Sequence, residues 1–439
     1  MKRNNVLKDF YLLWSTQSLS QLGSAMTSFA LTLWLYEKTG SALSTAALTI
    51  CTYAPYVLMS IFAGAITDKF DKKKTMLVCD ALAAVSTVLV LVLYKTDLLR
   101  VWHLYAINAV SGLMNTVQSP ASEVANTLIV PKEYYQKTSG MQSLSRSLIS
   151  IGNPLLAAAL YGLAGLDAVI VVDLATFSVA FITLLFFIRI PKVEAGKGQE
   201  EAVLKLAKEG LQFLKQNPLI LHVIMFMSGV NLISSAFNAT LPALVIPRAG
   251  NSVLGVVSSC SGIAMAFGSL IVTVMRKPKD RVRVIYLTML VALGTENFVL
   301  AFTRNPILWC LAQIIGWILV PVMGANQNVI MRNSIPVELQ GRVYACRNTL
   351  QFFTIPIGLA LGGFMVDEIC EPFMARQATG VAAGAAQGSA SGWSTFFTTL
   401  FGTGKGAGAA LMMFILGACG VILCAAYGKK LSQYKYTEA

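Results

Sequence analysis

Residues 64–73 read GAITDKFDKK, and the reading of the whole chain turns on where this charged stretch falls. Before it runs Leu43–Ile66 and after it Thr75–Tyr94, both almost free of charge. Each meets the length of roughly 20 apolar residues that a helix needs to cross hydrocarbon. Six charges packed between two such runs make a polar loop joining two spanning helices. Ten further runs extend the pattern outward: Phe10–Tyr36, Val101–Ala125, Thr138–Leu163, Ala168–Ile188, Leu219–Ile246, Val253–Met275, Val284–Phe302, Ile307–Met331, Val343–Val366 and Ala407–Tyr427. The runs are continuous and lack period-2 alternation, which excludes an outer-membrane barrel.

Composition agrees. Of 439 residues, 55% are hydrophobic and 13% charged, with a mean hydropathy of +0.64. A soluble domain carries about 25% charged residues, so a chain with half that share cannot coat a water-facing surface and must use lipid as a solvent. The expected fold is an all-α membrane protein of twelve transmembrane helices. Met1–Lys8 is basic, but no small-residue cleavage site follows it, so the start reads as an uncleaved first helix.

Positive charge sets the expected topology. With the N-terminus inside, only Lys38, Lys95, Arg100, Arg248, Arg304, Arg376 and Lys405 fall in outer loops, and the other 27 of the 34 lysines and arginines face the cytoplasm. That bias predicts both termini inside in a cell (inner) membrane. It also accounts for the net charge of +13 through membrane lipid rather than nucleic acid. Trp34, Trp102 and Trp309 fall at expected outer helix ends, where an aromatic belt would place them. Eight cysteines lack C-x-x-C spacing and a histidine partner, and read as small packing residues. No metal site or cofactor is expected. His103 and His222 join no catalytic constellation, so an enzyme is disfavoured.

Residues 191–218 separate six runs from six, predicting bundles over 1–190 and 219–439. In this linker Lys205, Lys208, Glu209 and Lys215 interleave with Leu204, Leu206, Leu211 and Leu214, the pattern of an amphipathic helix at the cytoplasmic interface. A shift of 205 positions lays Pro131–Glu133 on Pro336–Glu338, Lys72 and Lys74 on Lys277 and Lys279, and Phe10 on Lys215. Two parallel six-helix repeats imply a pseudo-two-fold axis along the membrane normal and a central cavity between them. The last outer loop, residues 367–406, has a Gly/Ala/Ser-rich middle (Thr379–Gly392) expected to be flexible. The aromatic stretch Gly392–Phe401 follows it.

Stretch 64–73 resembles the signature G-x-x-x-D-R/K-x-G-R-R/K of major facilitator transporters, with Asp71 where that family has glycine. The resemblance implies a gating motif made of Gly64, Asp68, Lys69, Lys72 and Lys73. Gly64 would allow close helix approach. Asp68 would sit at the positive N-terminal end of the eleventh helix, starting near Val343. The segments YEKTGSA (36–42), EGLQFLKQNP (209–218) and IPVELQGRV (335–343) resemble the macrolide-efflux-like branch, drug:proton antiporters. The branch implies proton-coupled efflux of drug-like or amphipathic small molecules. A nutrient permease, or a siderophore or lysolipid transporter on the same fold, is the alternative. The antiporter motif of the fifth helix survives only as Gly152-Asn153-Pro154, and Ser24 stands where related exporters carry an acid.

Charged residues inside a span are costly unless paired, wetted or neutralised. Glu296 and Asp173 are therefore candidates for proton coupling, with a structural hydrogen-bonding carboxyl as the alternative for each. Asp80, Glu123 and Arg146 fall together in the N-terminal half and suggest an inner ion network. Gln17, Gln21, Ser24 and Ser28 repeat at intervals of four, three and four, forming one helical face. With Asn108, Asn115, Asn231, Asn238, Gln313, Asn326 and Gln327 they are the candidate substrate cavity. In the superfamily, helices one, four, seven and ten line it. Any one of these amides is otherwise helix–helix glue.

Overall fold

A computed structural model describes residues 7–69, 71–131, 134–191, 203–387 and 392–434. Every regular element among them is helical. The helices are α1 (Lys8–Thr39), α2 (Ala42–Lys69), α3 (Lys72–Lys95), α4 (Val101–Ile129), α5 (Tyr135–Ile182), α6 (Val203–Gln216), α7 (Pro218–Ala249), α8 (Asn251–Val274) and α9 (Arg281–Phe302). They continue with α10 (Pro306–Ile318), α11 (Val320–Ser334), α12 (Val337–Phe352), α13 (Thr354–Phe364), α14 (Glu371–Gln387), α15 (Gly392–Phe401) and α16 (Ala407–Leu431).

Each of the twelve apolar runs is helical, but helix boundaries and run boundaries differ where the backbone has a local reason. The fifth and sixth runs join in α5, and the break falls at Gly165, whose φ of 81° is open to glycine. The tenth run divides at Leu319, just before Pro321 in the first turn of α11. The eleventh divides at Phe353 and ends in a π-helical turn, Met365–Cys370. Among the described residues nine helical stretches are long and apolar enough to cross a membrane by length and composition. One of them, Leu144–Phe187, holds two of the expected spans. α1 and α4 are not among the nine, because each carries a polar stripe along its length.

The chain divides into two compact units, Met1–Leu35 with Leu48–Glu200, and Tyr36–Ala47 with Glu201–Ala439. In the first, α3 packs on α4 and α5. Met26, Trp34, Leu104, Leu166 and Ile170 form a buried cluster in which Trp34 meets Tyr94 edge-on at 6.3 Å. Without a hydrophobic drive between helices in lipid, close approach at small residues supplies the cohesion. Gly112 lies against the Thr52 carbonyl, and Gly23 against Asp173 and Thr176, so a side chain at either glycine would collide. Asp71 explains its departure from the glycine of the signature: at φ −62° it is the N-cap of α3 and accepts from the Lys74 N–H at 3.0 Å. Lys73 Nζ donates to the carbonyls of Leu185 (3.0 Å) and Ile188 (2.7 Å), satisfying a helix end. Lys95 pairs with Asp167.

In the second unit α7 packs on α13 and α16, α9 on α16, and α8 on α10. Gly362 faces the Ala236 backbone, where an added Cβ would lie 2.6 Å from its carbonyl oxygen. Asp367 accepts from Ser41 Oγ (2.6 Å), Ala42 N (3.0 Å) and Leu43 N (2.8 Å), capping the first turn of α2. Glu371 accepts from Gly406 N (2.8 Å) and Ala409 N (3.3 Å) at the start of α16. Both carboxylates sit at the positive end of a helix dipole. α6 is docked rather than lying free: Leu214 is buried with Ile220, Ile335 and Val343.

Several expectations change here. The supposed flexible loop is helical over Thr379–Gln387 as part of α14, because its alanines favour helix and α14 packs on α15 and α16. Residues 388–391 lie outside the described residues. Cys370 is buried in the π-helical turn. Trp34 and Trp309 are core residues, the Trp309 indole donating to the Thr303 carbonyl at 3.1 Å, and only Trp102 of the three is exposed. α12 begins at Val337, six residues before the expected start, directly after the helix-breaking Pro336. The side chains of Gly64, Asp68 and Lys69 lie outside the described residues.

Candidate functional site

A cavity of about 630 Å³ opens within the first unit, lined from α1, α3, α4 and α5. That volume lies in the range that takes a drug-sized molecule. The α1 stripe Gln17, Gln21, Ser24 and Ser28 faces it as its spacing requires. α4 answers with Asn115, Ser119, Ser122 and Asn126, which repeat the same intervals of four, three and four, and with Gln118. α3 supplies Asp80. α5 supplies Gln142, Ser145 and Arg146 and, beyond its bend, Phe177.

The polar groups are tied to each other across helices. Asp80 accepts from Gln17 Nε2 on α1 at 3.5 Å and from Gln118 Nε2 on α4. The hydroxyls of Ser18 and Ser145 share a hydrogen bond of 2.8 Å between α1 and α5. Trp14 Nε1 donates to the Met141 carbonyl at 3.1 Å. Asp173 does not line the cavity; it is buried behind it and accepts from Ser24 Oγ at 2.9 Å. The carboxyl absent from the position after Gly23 is thus delivered to that serine from α5.

The ion network expected of Asp80, Glu123 and Arg146 is not formed as an Asp80–Arg146 pair. Both residues line the cavity, but the carboxylate is held by neutral amides, and among the described residues neither takes part in an ion pair. The Glu123 side chain lies outside the described residues. Asn108 is also corrected. Its Oδ1 accepts from Thr52 Oγ1 at 3.2 Å and its Nδ2 donates to the Leu104 carbonyl at 2.9 Å, so it joins α4 to α2 and does not line the cavity. The wall residues that sequence reasoning missed on α4 carried the same signal as the α1 stripe.

The remaining candidates lie in the second unit. Asn231 Nδ2 donates to the Gln351 carbonyl at 3.1 Å, and Asn326 Oδ1 accepts from Arg281 Nη1 at 3.0 Å, so both join helices. Asn238 is exposed. Gln313 and Gln327 are buried, with Gln313 Oε1 and Gln327 Nε2 lacking a hydrogen-bond partner. Glu296, on α9, is buried and accepts from Trp317 Nε1 at 2.9 Å. Gly316 leaves room for it: a Cβ there would stand 2.5 Å from Oε2. Among the described residues no ion pair reaches Glu296 or Asp173.

The Major Facilitator Superfamily pattern matches residues 13–369. The chain belongs to the Major Facilitator Superfamily. Like other members of that superfamily, it is a multi-pass membrane transporter of small-molecule substrates and not an enzyme. It is similar to Macrolide efflux protein A of Streptococcus pyogenes, 25% identical over 375 residues covering 84% of this chain and 92% of the relative. It is also similar to the multidrug efflux pump Tap of Mycolicibacterium fortuitum, at 24% identity over 79% of this chain and 86% of the pump. Among solved structures, a bacterial homolog of the human lysosomal transporter Spinster matches with a TM-score of 0.70 at 13% identity, covering both chains completely. The nucleoside transporter NupG matches at 0.67 and 12% identity, over 97% of this chain and 99% of that one. At such identities these two likenesses speak for the superfamily fold alone.

Proposed function

We propose that this major facilitator is a secondary active exporter that expels drug-like or amphipathic small molecules in exchange for protons, by alternating access. The observation that carries the reading is the first unit's cavity, a hydrogen-bonding hollow enclosed by helices whose outer faces are apolar. Polar groups cost too much inside a membrane to be retained without use, and amides and hydroxyls bordered by Trp14, Leu13 and Phe177 suit an amphipathic organic molecule. Relatives named for macrolide and multidrug efflux support the direction and the substrate class.

Proton coupling rests on Glu296 and Asp173, buried carboxyls with hydrogen-bond donors and no cationic partner among the described residues. Such a group exchanges a proton more readily than one locked in an ion pair. Each proton moving inward supplies about 2.3 kcal/mol per 100 mV of membrane potential. Gly64, Asp68, Lys69, Lys72 and Lys73 form the cytoplasmic gate in this reading. The chain folds as two six-helix bundles, 1–190 and 219–439, joined by the linker 191–218, with both termini in the cytoplasm of a cell whose inner membrane it spans. The basic loops meet anionic lipid there.

The test is transport by purified protein in proteoliposomes. With an inwardly acidic lumen imposed, accumulation of radiolabelled erythromycin beyond that of protein-free liposomes, collapsing on adding a protonophore, supports the reading. Accumulation indifferent to the gradient would remove the proton, and the absence of movement across a panel of amphipathic drugs would remove drug efflux.

A further inference from the structure

Among the described residues, two charged side chains line the first unit's cavity, and they are of opposite sign: Asp80 on α3 and Arg146 on α5. A structural ion pair would bring them together, because a charge inside a membrane protein is costly until it is neutralised. They are left apart. Asp80, nine-tenths buried, is held by the amides of Gln17 and Gln118, which orient its carboxylate without cancelling its charge. Arg146 is exposed at the cavity wall and makes no ion pair among the described residues.

We propose that the cavity recognises a zwitterionic amphiphile, with its ammonium group on Asp80, its anionic group on Arg146 and its apolar body against Trp14 and Phe177. The proposal rests on the transport reading above and narrows its substrate class. A plain cation in the same cavity would gain Asp80 and be repelled by Arg146, and a plain anion would meet the reverse. A molecule carrying both charges gains both partners. Guanidinium groups bind carboxylate and phosphate through paired N–H donors, and an aromatic ring beside a carboxylate adds a second attraction for an ammonium group.

The decisive experiment uses one skeleton in three charge states. Norfloxacin carries an ammonium and a carboxylate, its methyl ester only the ammonium, and its N-acetyl derivative only the carboxylate. Binding of each to the purified full-length protein in detergent is measured by ligand fluorescence. The wild-type protein is expected to hold norfloxacin about tenfold or more tighter than either derivative, the scale of one charge-assisted contact. Asp80→Asn should erase the advantage of norfloxacin over the N-acetyl derivative while leaving that derivative bound at least as well as before. Arg146→Gln should do the same for the methyl ester. Each variant thereby keeps one ligand, which shows it to be folded. Equal affinity of the wild-type protein for all three, binding of none, or a uniform loss in both variants would overturn the inference. Erythromycin accumulation in the proteoliposome assay judges the transport reading separately.

Discussion

Asp80 and Glu296 are the same kind of group in the same kind of place, a carboxyl within a membrane-spanning helix that forms no ion pair among the described residues. Their surroundings divide them. Asp80 opens onto a cavity and is gripped from two other helices by amides. Glu296 is closed in between α9 and α10, with one indole donor and a glycine that clears space for it. An acid that faces a ligand-sized hollow can recognise a substrate. An acid sealed from that hollow has room for little more than a proton. Access, more than chemical identity, assigns the role.

The largest expected effect follows from Glu296→Gln, which keeps the shape and removes the titratable group. If Glu296 carries the proton, gradient-driven accumulation falls to simple equilibration, a loss of roughly 50-fold for each proton coupled at 100 mV. Proteoliposome flux with and without the gradient reads this, and full coupled turnover would dismiss Glu296. Next comes Gly316→Val, which fills the space beside the carboxyl. Overpacking of this kind costs about 1–3 kcal/mol, seen as a lower Tm in detergent; an unchanged Tm would mean that the Glu296 site is looser than described. On the cavity side, Gln118→Leu removes one donor to Asp80 and should weaken norfloxacin binding by about 2- to 10-fold, the net worth of one hydrogen bond, without touching proton coupling. Asn108→Ala is the smallest: a stability loss of about 1 kcal/mol from the contact with Thr52 and unchanged ligand affinity. A marked affinity loss there would return Asn108 to the cavity wall.

Part of the cavity wall was legible in advance, and the gaps have physical causes. The α1 stripe was readable because a helix converts spacing directly into a face. The matching α4 stripe carries the same spacing, but Asn108 lies off it, where a neighbouring helix rather than a cavity satisfies the amide. Asp71 looked like a departure from a signature until its φ and its bond to Lys74 showed a helix cap doing the work of the turn. Trp34 and Trp309 sat at the right depth for an interfacial belt. Their rings turned inward because a core was available to receive them.

Sequence alone determined that this protein lives in lipid, where its spans run, and which residues are too polar to face hydrocarbon, since the transfer of a side chain from water to lipid depends on that side chain and its near neighbours. Tertiary structure decided which polar groups share a cavity and which bind helices together. It also separated Asp80 from Arg146 and enclosed Glu296. Those outcomes depend on partners from distant helices, such as Gln118 for Asp80 and Trp317 for Glu296. A hydrogen bond or an ion pair exists only where packing brings donor and acceptor within reach.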